Sequence, residues 1–487
     1  MRYANKIKNL ISGSKEVKAS SAYVICSVLQ RCLSLITLPL FTRLLVTEEY
    51  GISTVYASTL AVVAVFTTLN LPYGSFSPAM MRFEKDRDGY ISAVNAICVL
   101  FTAFYFMIYF LFQDFWNELV DLPTELMILM GFEILFNAAI QFWMGKARFE
   151  YKYNAFIAIT LLISVLGTAC SLLAVIFLPN KGVAKVLANG AVISVVGLAI
   201  MIPSMARGKN CFNKEYWKYA LSFNIPLIPY YLSQIIFNQS DRLMINKMTG
   251  KSDAAMYGVA YTLAFILVFV LNAINNSFVP WMYGKIRERK FQEITRISII
   301  IAAIMAVLLL GIIALAPEII LIMAGEKYTS AIWAVPPVAM SLLLLFYAQL
   351  FINVELYFEE KYKLVGASIL AAVVNIALNY FGIKMFGFVA AGYTTLISYV
   401  LFAGCNYFAM KKICKEQGIE GNAYDYASLL ALFGVFAVVG FAFTALYPFR
   451  WVRLGIVALE MILTVAFKSR IIELVGKVQN AFTKLKD

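Results

Sequence analysis

The sequence predicts an all-α integral membrane fold of about 14 transmembrane helices: two six-helix lobes in parallel pseudo-repeat, plus two C-terminal helices. Three observations predict it. Long apolar runs recur from end to end, basic residues concentrate in alternate loops, and one local sequence plan appears twice.

The 487 residues are 61% hydrophobic and only 14% charged, whereas soluble domains sit near half apolar and a quarter charged. Runs of 18 or more apolar residues are each long enough to cross a hydrocarbon core of roughly 30 Å. The first 18 residues carry Arg2, Lys6, Lys8, Lys15 and Lys18. No short apolar core with a small-residue cleavage site follows them, so the run from Ser20 to Leu45 reads as the first membrane helix and not as a removable signal.

Windows of about 20 residues place the spans at 20–44, 50–71, 90–112, 123–144, 154–178, 183–205, 216–239, 254–279, 294–315, 329–351, 364–383, 387–409, 426–446 and 451–467. Asn180-Lys181-Gly182 and Phe381-Gly382 read as turns between them. With the N-terminus in the cytoplasm, 29 of the 41 Lys and Arg fall on the cytoplasmic side, 10 on the other, and Arg31 and Arg296 lie inside spans. That excess orients the chain with both termini cytoplasmic. It also accounts for most of the net charge of +13. The positive charge lies in short loops beside lipid headgroups, which argues against nucleic acid as the partner.

The repeat begins with Pro39-Leu40-Phe41-Thr42-Arg43-Leu44-Leu45 and Tyr50-Gly51, and again with Asn238-Gln239-Ser240-Asp241-Arg242-Leu243-Met244 and Tyr257-Gly258. Six helices separate the copies. An even number gives both the same orientation, a parallel repeat about an axis along the membrane normal. Residues 1–210 then form an N-lobe, 211–415 a C-lobe, and 416–487 two added helices with a cytoplasmic tail.

Several chemistries are excluded or disfavoured. There is no histidine, so no His base, His metal ligand or His proton switch. The seven cysteines form no CxxC pair, and most sit in apolar runs as small hydrophobes. No Walker loop is present, so ATP is not an expected ligand. Neither a cofactor nor a metal is implied, and the chain does not read as an enzyme.

Ionisable groups at membrane depth are costly, so they face a cavity or a partner. Arg31 sits well inside the first span, with Ser27 and Ser34 on its face. It reads either as a cation lining a cleft or as a structural arginine paired with a carboxylate. Glu133, Asn137 and Gln141 form one stripe, and Gln234, Asn238 and Asp241 another, followed by Arg242. Asn272, Asn275 and Asn276 lie in the eighth span, and Asn375 with Asn379 in the eleventh. Each stripe either bonds helix to helix or lines a wet path. Glu133 and Asp241 are the carboxylates expected to take up a coupling cation or proton. Glu355 reads as solvated at the cytoplasmic rim. Pro226 and Pro229, after Asn224, mark either a bending helix or a static kink.

Pro39-Leu-Phe-Thr-Arg43-Leu-Leu followed by Glu48-Glu49-Tyr50-Gly51 resembles the start of Wzx-type O-antigen and polysaccharide flippases of the MOP (MATE-like) exporter superfamily. So do Lys218-Tyr-Ala-Leu-Ser-Phe-Asn-Ile-Pro226-Leu-Ile-Pro229, Asp241-Arg242, Tyr257-Gly258 and Pro280-Trp281. The resemblance implies a cationic central cavity that opens alternately to each leaflet. The implied substrate is an undecaprenyl-diphosphate-linked oligosaccharide, whose polyprenyl tail stays in membrane lipid. Arg31, Arg43 and Arg242 are then the diphosphate contacts, and Asn238, Gln234, Asn137 and Gln141 suit sugar hydroxyls. A polysaccharide polymerase of the same pathway is an expected partner. The competing readings are a MATE-type drug/cation antiporter, a peptidoglycan-precursor flippase, and a non-transporting membrane scaffold.

Overall fold

The computed structural model describes residues 23, 26, 29, 30, 33, 36–358, 361–419 and 424–466, the last-turn side chains of 460–466 and those of 361–364 excepted. Every regular element among them is helical: α1 (36–44), α2 (Thr47–Thr68), α3 (Phe76–Arg82), α4 (Arg87–Leu111), α5 (Gln113–Val120), α6 (Thr124–Phe149), α7 (Tyr153–Phe177), α8 (Lys181–Gly208) and α9 (Lys214–Asn224). Then follow α10 (Ile228–Thr249), α11 (Lys251–Ala264), α12 (Val268–Arg287), α13 (Phe291–Met323), α14 (Val335–Tyr357), α15 (Lys361–Phe386), α16 (Val389–Glu416), α17 (Tyr426–Ala445) and α18 (Arg450–Ala466).

Among the described residues, 12 helices are long and apolar enough to cross a membrane, by length and composition. They correspond one for one to the second through thirteenth expected spans. The expected first span, with Arg31, falls largely outside the described residues. The expected fourteenth is α18, a helix of 17 residues.

Two spans are longer than their apolar runs and each is broken. One runs Lys214–Thr249, the other Lys251–Arg287. In the first, α9 gives way to a 3-10 turn at Ile225–Leu227 before α10. Pro226 in that turn has no N–H to donate to the preceding turn, so regular α-helix stops there. The break is pinned from outside. Asn224 Nδ2 donates to Ser75 Oγ at 2.7 Å, and Ser75 Oγ lies 3.2 Å from the Tyr90 hydroxyl. The second span breaks at Phe265–Leu267, where no proline occurs; there the Tyr261 and Phe265 rings stack with centroids 3.8 Å apart.

Helix starts follow ordinary capping. Asp86 accepts from the Gly89 N–H, Asn213 from those of Glu215 and Tyr216, and Asp425 from that of Ser428.

By internal contacts the chain divides into two units, Met1–Ala255 and Met256–Asp487. Residues 211–255, placed in the C-lobe from sequence, are thus grouped with the first unit. In that unit α6 is the most enclosed span, 61% of its apolar stretch being buried. α8 packs along it through glycines: a Cβ on Gly190 would lie 2.6 Å from Glu133 Oε2, and one on Gly197 would strike the Phe136 carbonyl. Small residues let membrane helices approach this closely. In the second unit α14 is the enclosed element, with 83% of its stretch buried, against α13, α16 and α17.

Candidate functional site

In the first unit the polar groups converge on α2. Tyr56 of α2 donates its hydroxyl to Glu133 Oε2 of α6 at 2.7 Å, and both side chains are buried. Two residues on, Ser58 Oγ donates to Gln239 Oε1 of α10 at 3.1 Å. The same Gln239 oxygen accepts from Arg242 Nη1 at 2.6 Å. One helix therefore ties a buried carboxyl on one side to a buried guanidinium on the other. Ser58 and Tyr56 sit on different faces of α2 because residues two apart diverge around a helix.

On α10 the expected stripe is real, and bonds link it along the helix. Asn238 Nδ2 donates to the Gln234 carbonyl at 2.7 Å, and Arg242 Nη1 to the Asn238 carbonyl at 3.2 Å. Gln234 and Asn238 are half-buried, while Asp241 and Arg242 are 1% and 8% exposed. Asn137 and Gln141 lie half-buried on α6, one and two turns beyond Glu133. Arg43 is exposed at the end of α1. Arg31 lies outside the described residues. The structure thus brings Gln234, Asn238 and Arg242 together. Among the described residues, α2 connects Glu133 to them.

Tyr56, Ser58 and Gln239 were not singled out from sequence as site residues. Gln239 had a signal, since Asn238 through Arg242 are five consecutive polar residues at the end of the seventh expected span. Tyr56 and Ser58 had none beyond being hydroxyls in an apolar run.

The second unit uses its polar groups differently. Asn379 Nδ2 donates to Asn375 Oδ1 at 3.1 Å, Asn375 Nδ2 to Ser398 Oγ at 3.3 Å, and the Thr394 hydroxyl to Asn379 Oδ1. All are buried, so the Asn375–Asn379 stripe is a seam between α15 and α16 and not a wet lining. Asn353 Nδ2 donates to Asn275 Oδ1 at 2.8 Å, joining α14 to α12. Glu355, expected at a solvated rim, is fully buried instead: it lies on the packed face of α14 while Leu356 beside it is exposed, and hydropathy does not report which face a residue takes. Near the other end of the unit Arg453 of α18 makes a two-pronged pair with Glu318 of α13, at 2.8 and 2.7 Å. Arg453 is 1% exposed. This pair too went unrecognised in the sequence.

One stripe in this unit faces outward. Asn272 and Asn276 of α12 are both exposed, one turn apart, within a span. Amide groups turned to hydrocarbon would lose their hydrogen bonds, so a membrane protein places such a surface against water or a polar ligand.

A family model described as "Polysaccharide biosynthesis protein" matches residues 17–284. Among curated relatives, the Haemophilus influenzae "Lsg locus putative protein 1" is 29% identical over 72 residues, 15% of this chain. That match spans 18% of the relative's length. Among solved structures, an inward-facing multidrug resistance MATE family transporter of the MOP superfamily matches with a TM-score of 0.64 at 15% identity, covering 80% of this chain and 96% of that one. The lipid II flippase MurJ, in an inward closed conformation, matches with a TM-score of 0.63 at 14% identity, covering 92% of this chain and 99% of that one. At these identities the structural likeness shows the fold.

Proposed function

This chain belongs to the polysaccharide biosynthesis protein family, with the fold of the MOP exporters, and from that premise we propose that it is a flippase for an undecaprenyl-diphosphate-linked oligosaccharide. It is a multi-span membrane transporter and not an enzyme. The cargo, an O-antigen or similar polysaccharide repeat unit, is carried from the cytoplasmic to the periplasmic leaflet of the bacterial inner membrane by alternating access, with both termini in the cytoplasm.

The observation that carries this reading is the exposed amide stripe Asn272–Asn276 inside a membrane span. A path wet enough to solvate those amides suits sugar hydroxyls, which exchange hydrogen bonds with Asn and Gln at little net cost. The buried Arg242, held by Gln239 and the Asn238 carbonyl, supplies charge for the diphosphate, since guanidinium–phosphate bonds are the strong, two-pronged kind. Arg43 and Arg31 are assigned the same partner, and Gln234, Asn238, Asn137 and Gln141 the sugars. The Glu133–Tyr56 pair is the coupling site: a carboxyl that gains or loses a proton changes its bond to the Tyr56 hydroxyl and so biases α2. Asp241 is the second coupling carboxyl. A polysaccharide polymerase is the partner that receives the product.

The test is complementation of a strain lacking this chain, with surface polysaccharide as the readout. Arg242→Ala is expected to lower export at least tenfold and Arg242→Lys to lower it less, at unchanged membrane level. Unchanged export in Arg31→Ala, Arg43→Ala and Arg242→Ala alike would overturn the assignment. Drug resistance conferred without polysaccharide export would point to a drug/cation antiporter instead.

A further inference from the structure

Three glycines of α8 meet a neighbouring helix closely, and they do not meet the same kind of atom. A Cβ on Gly182 would lie 2.5 Å from the Glu49 carbonyl oxygen of α2, and one on Gly197 would strike the Phe136 carbonyl of α6. Both neighbours are backbone, which cannot step aside, so these two glycines set how near the helices come.

Gly190 differs. The nearest atoms that a Cβ there would meet are the tips of two side chains of α6, Glu133 Oε2 at 2.6 Å and Leu129 Cδ2 at 2.7 Å. Such tips can turn to another rotamer, so the approach of α8 to α6 does not by itself demand a glycine here. The carboxyl does. Glu133 Oε2 is the same atom that accepts from the Tyr56 hydroxyl at 2.7 Å. Tyr56 is 5% exposed and Glu133 8%, so the carboxyl is enclosed between the phenol of α2 and the bare backbone of α8. A carbon ordinarily comes no nearer an oxygen than about 3.3 Å. A methyl at position 190 would therefore displace Oε2 by about 0.7 Å, a large step for an O–H···O bond whose useful range is about 2.5–3.0 Å.

We propose that Gly190 is a positioning residue for this carboxyl: the side chain it lacks leaves Glu133 the place from which it meets Tyr56. The proposal deepens the reading of Glu133 and Tyr56 as the coupling pair, and it rests on that reading. The link between α2 and α6 then depends on a third helix, α8.

The titratable group that α2 turns to the carboxyl is Tyr56 itself. α4 brings Tyr105, whose hydroxyl donates to the Met127 carbonyl at 2.8 Å. α8 has none between Lys185 and Arg207, and α7 only Cys170 beyond its first residue. Lys185 is turned to the Phe41 and Tyr50 rings, 4.6 and 4.4 Å from their centroids. α3 meets α6 at Gly145, about three turns beyond Glu133, and α5 is pinned to Thr124 at its start.

The full chain, purified in detergent, is treated with dicyclohexylcarbodiimide, an apolar reagent that adds to protonated carboxyls, across a series of pH values. The adduct at Glu133 is read by peptide mass spectrometry. Tyr56→Phe removes the phenol's bond and is expected to move the pH of half-maximal labelling by about half a unit or more. Gly190→Ala is expected to move it in the same sense and by a similar amount, while unfolding in detergent stays near that of wild type. In the double variant the alanine is expected to add little, because the bond it breaks is already gone. Gly167→Ala crowds α8 from α7, where its Cβ would meet Asn189 Oδ1 at 2.7 Å, and is expected to leave the midpoint in place. A midpoint unmoved by Gly190→Ala, an equal shift in Gly167→Ala, or a Gly190→Ala shift that adds in full to that of Tyr56→Phe overturns the proposal. A Gly190→Ala chain that does not fold overturns it too, because the glycine is then a packing requirement. The coupling reading fails separately, when Glu133→Gln keeps the full response of export to the proton gradient, whatever the labelling gives.

Discussion

The two units handle buried polarity in opposite ways. In the second, polar side chains close on one another across helices. Asn375, Asn379, Thr394 and Ser398 form a continuous seam, and Arg453 bonds Glu318 through two parallel bonds. In the first, Asn238 and Arg242 bond to carbonyls of α10 itself, and α2 is tied to its neighbours by single hydroxyls, Tyr56 to Glu133 and Ser58 to Gln239. A closed seam resists any change that separates its helices. Single hydroxyl links are worth about 0.6–1.7 kcal/mol in a membrane, so they can be exchanged during a transport cycle. The difference teaches that polarity at membrane depth is not one signal: in the second unit it closes a seam between helices, and in the first it links α2 to its neighbours through single bonds.

The comparison breaks most easily at Arg453. Truncating one partner of a buried pair costs about 3–5 kcal/mol where the other charge is left alone, and less here, because Glu318 is 17% exposed and keeps Arg450 at 3.5 Å. Arg453→Ala is therefore expected to give the largest loss of stability, read as chemical unfolding in detergent, with the double variant Glu318→Leu/Arg453→Leu recovering much of it. If Arg453→Ala leaves stability unchanged, the second unit is not held as described.

Next in size is the first unit's carboxyl. Glu133→Gln keeps the shape and can still accept from Tyr56, so unfolding is expected to shift by about 1 kcal/mol or less. Export is expected to fall at least tenfold and to lose its response to the proton gradient, measured in complemented cells and in vesicles. Tyr56→Phe is expected to change export less, because the carboxyl remains. Asn379→Ala is the mirror experiment: about 1–2 kcal/mol of stability, with export per folded molecule unchanged. A defect in export alone from Asn379→Ala would erase the distinction between the units.

The spans were legible in the sequence because apolar length is a one-dimensional quantity. Their ends were less so. The seventh expected span stopped at residue 239, yet α10 continues to Thr249. Asp241, Arg242 and Lys247 lower the local hydropathy, but a helix that packs against protein tolerates them. The proline break at Ile225–Leu227 was readable from Pro226; the break at Phe265–Leu267 was not, because nothing in Ala264–Val268 forbids α-helix. Of the candidate site, the α10 stripe was legible from its four-residue period. The Tyr56–Glu133 pair joins residues 77 apart and depends on how two helices are rotated, which periodicity does not contain. Glu318 and Arg453 escaped notice for the same reason, and because each sits at the end of a span, where charge is ordinary.

The smallest effect belongs to charge outside the membrane, and it sharpens the comparison by supplying its baseline. In the turn between α12 and α13, Glu288 is bonded by Lys285 and Lys290, each at 3.0 Å. Those ammonium groups, Lys290 first, hold its carboxyl below the usual range. A depressed carboxyl stabilises the fold fully above its unfolded value of about pH 4.3, and the contribution is lost as pH falls through the lower folded value. The Glu288→Gln variant is therefore expected to melt slightly below wild type at pH 7 and with it near pH 3. The gap at pH 7 should close in 1 M salt, because an exposed pair is screened. The same titration on Arg453→Ala should show a deficit that salt alters less, since Arg453 is 1% exposed and Glu318 17%. If salt closes both gaps alike, Glu318–Arg453 is a surface pair in its energetics, and burial is not what separates the second unit from the first.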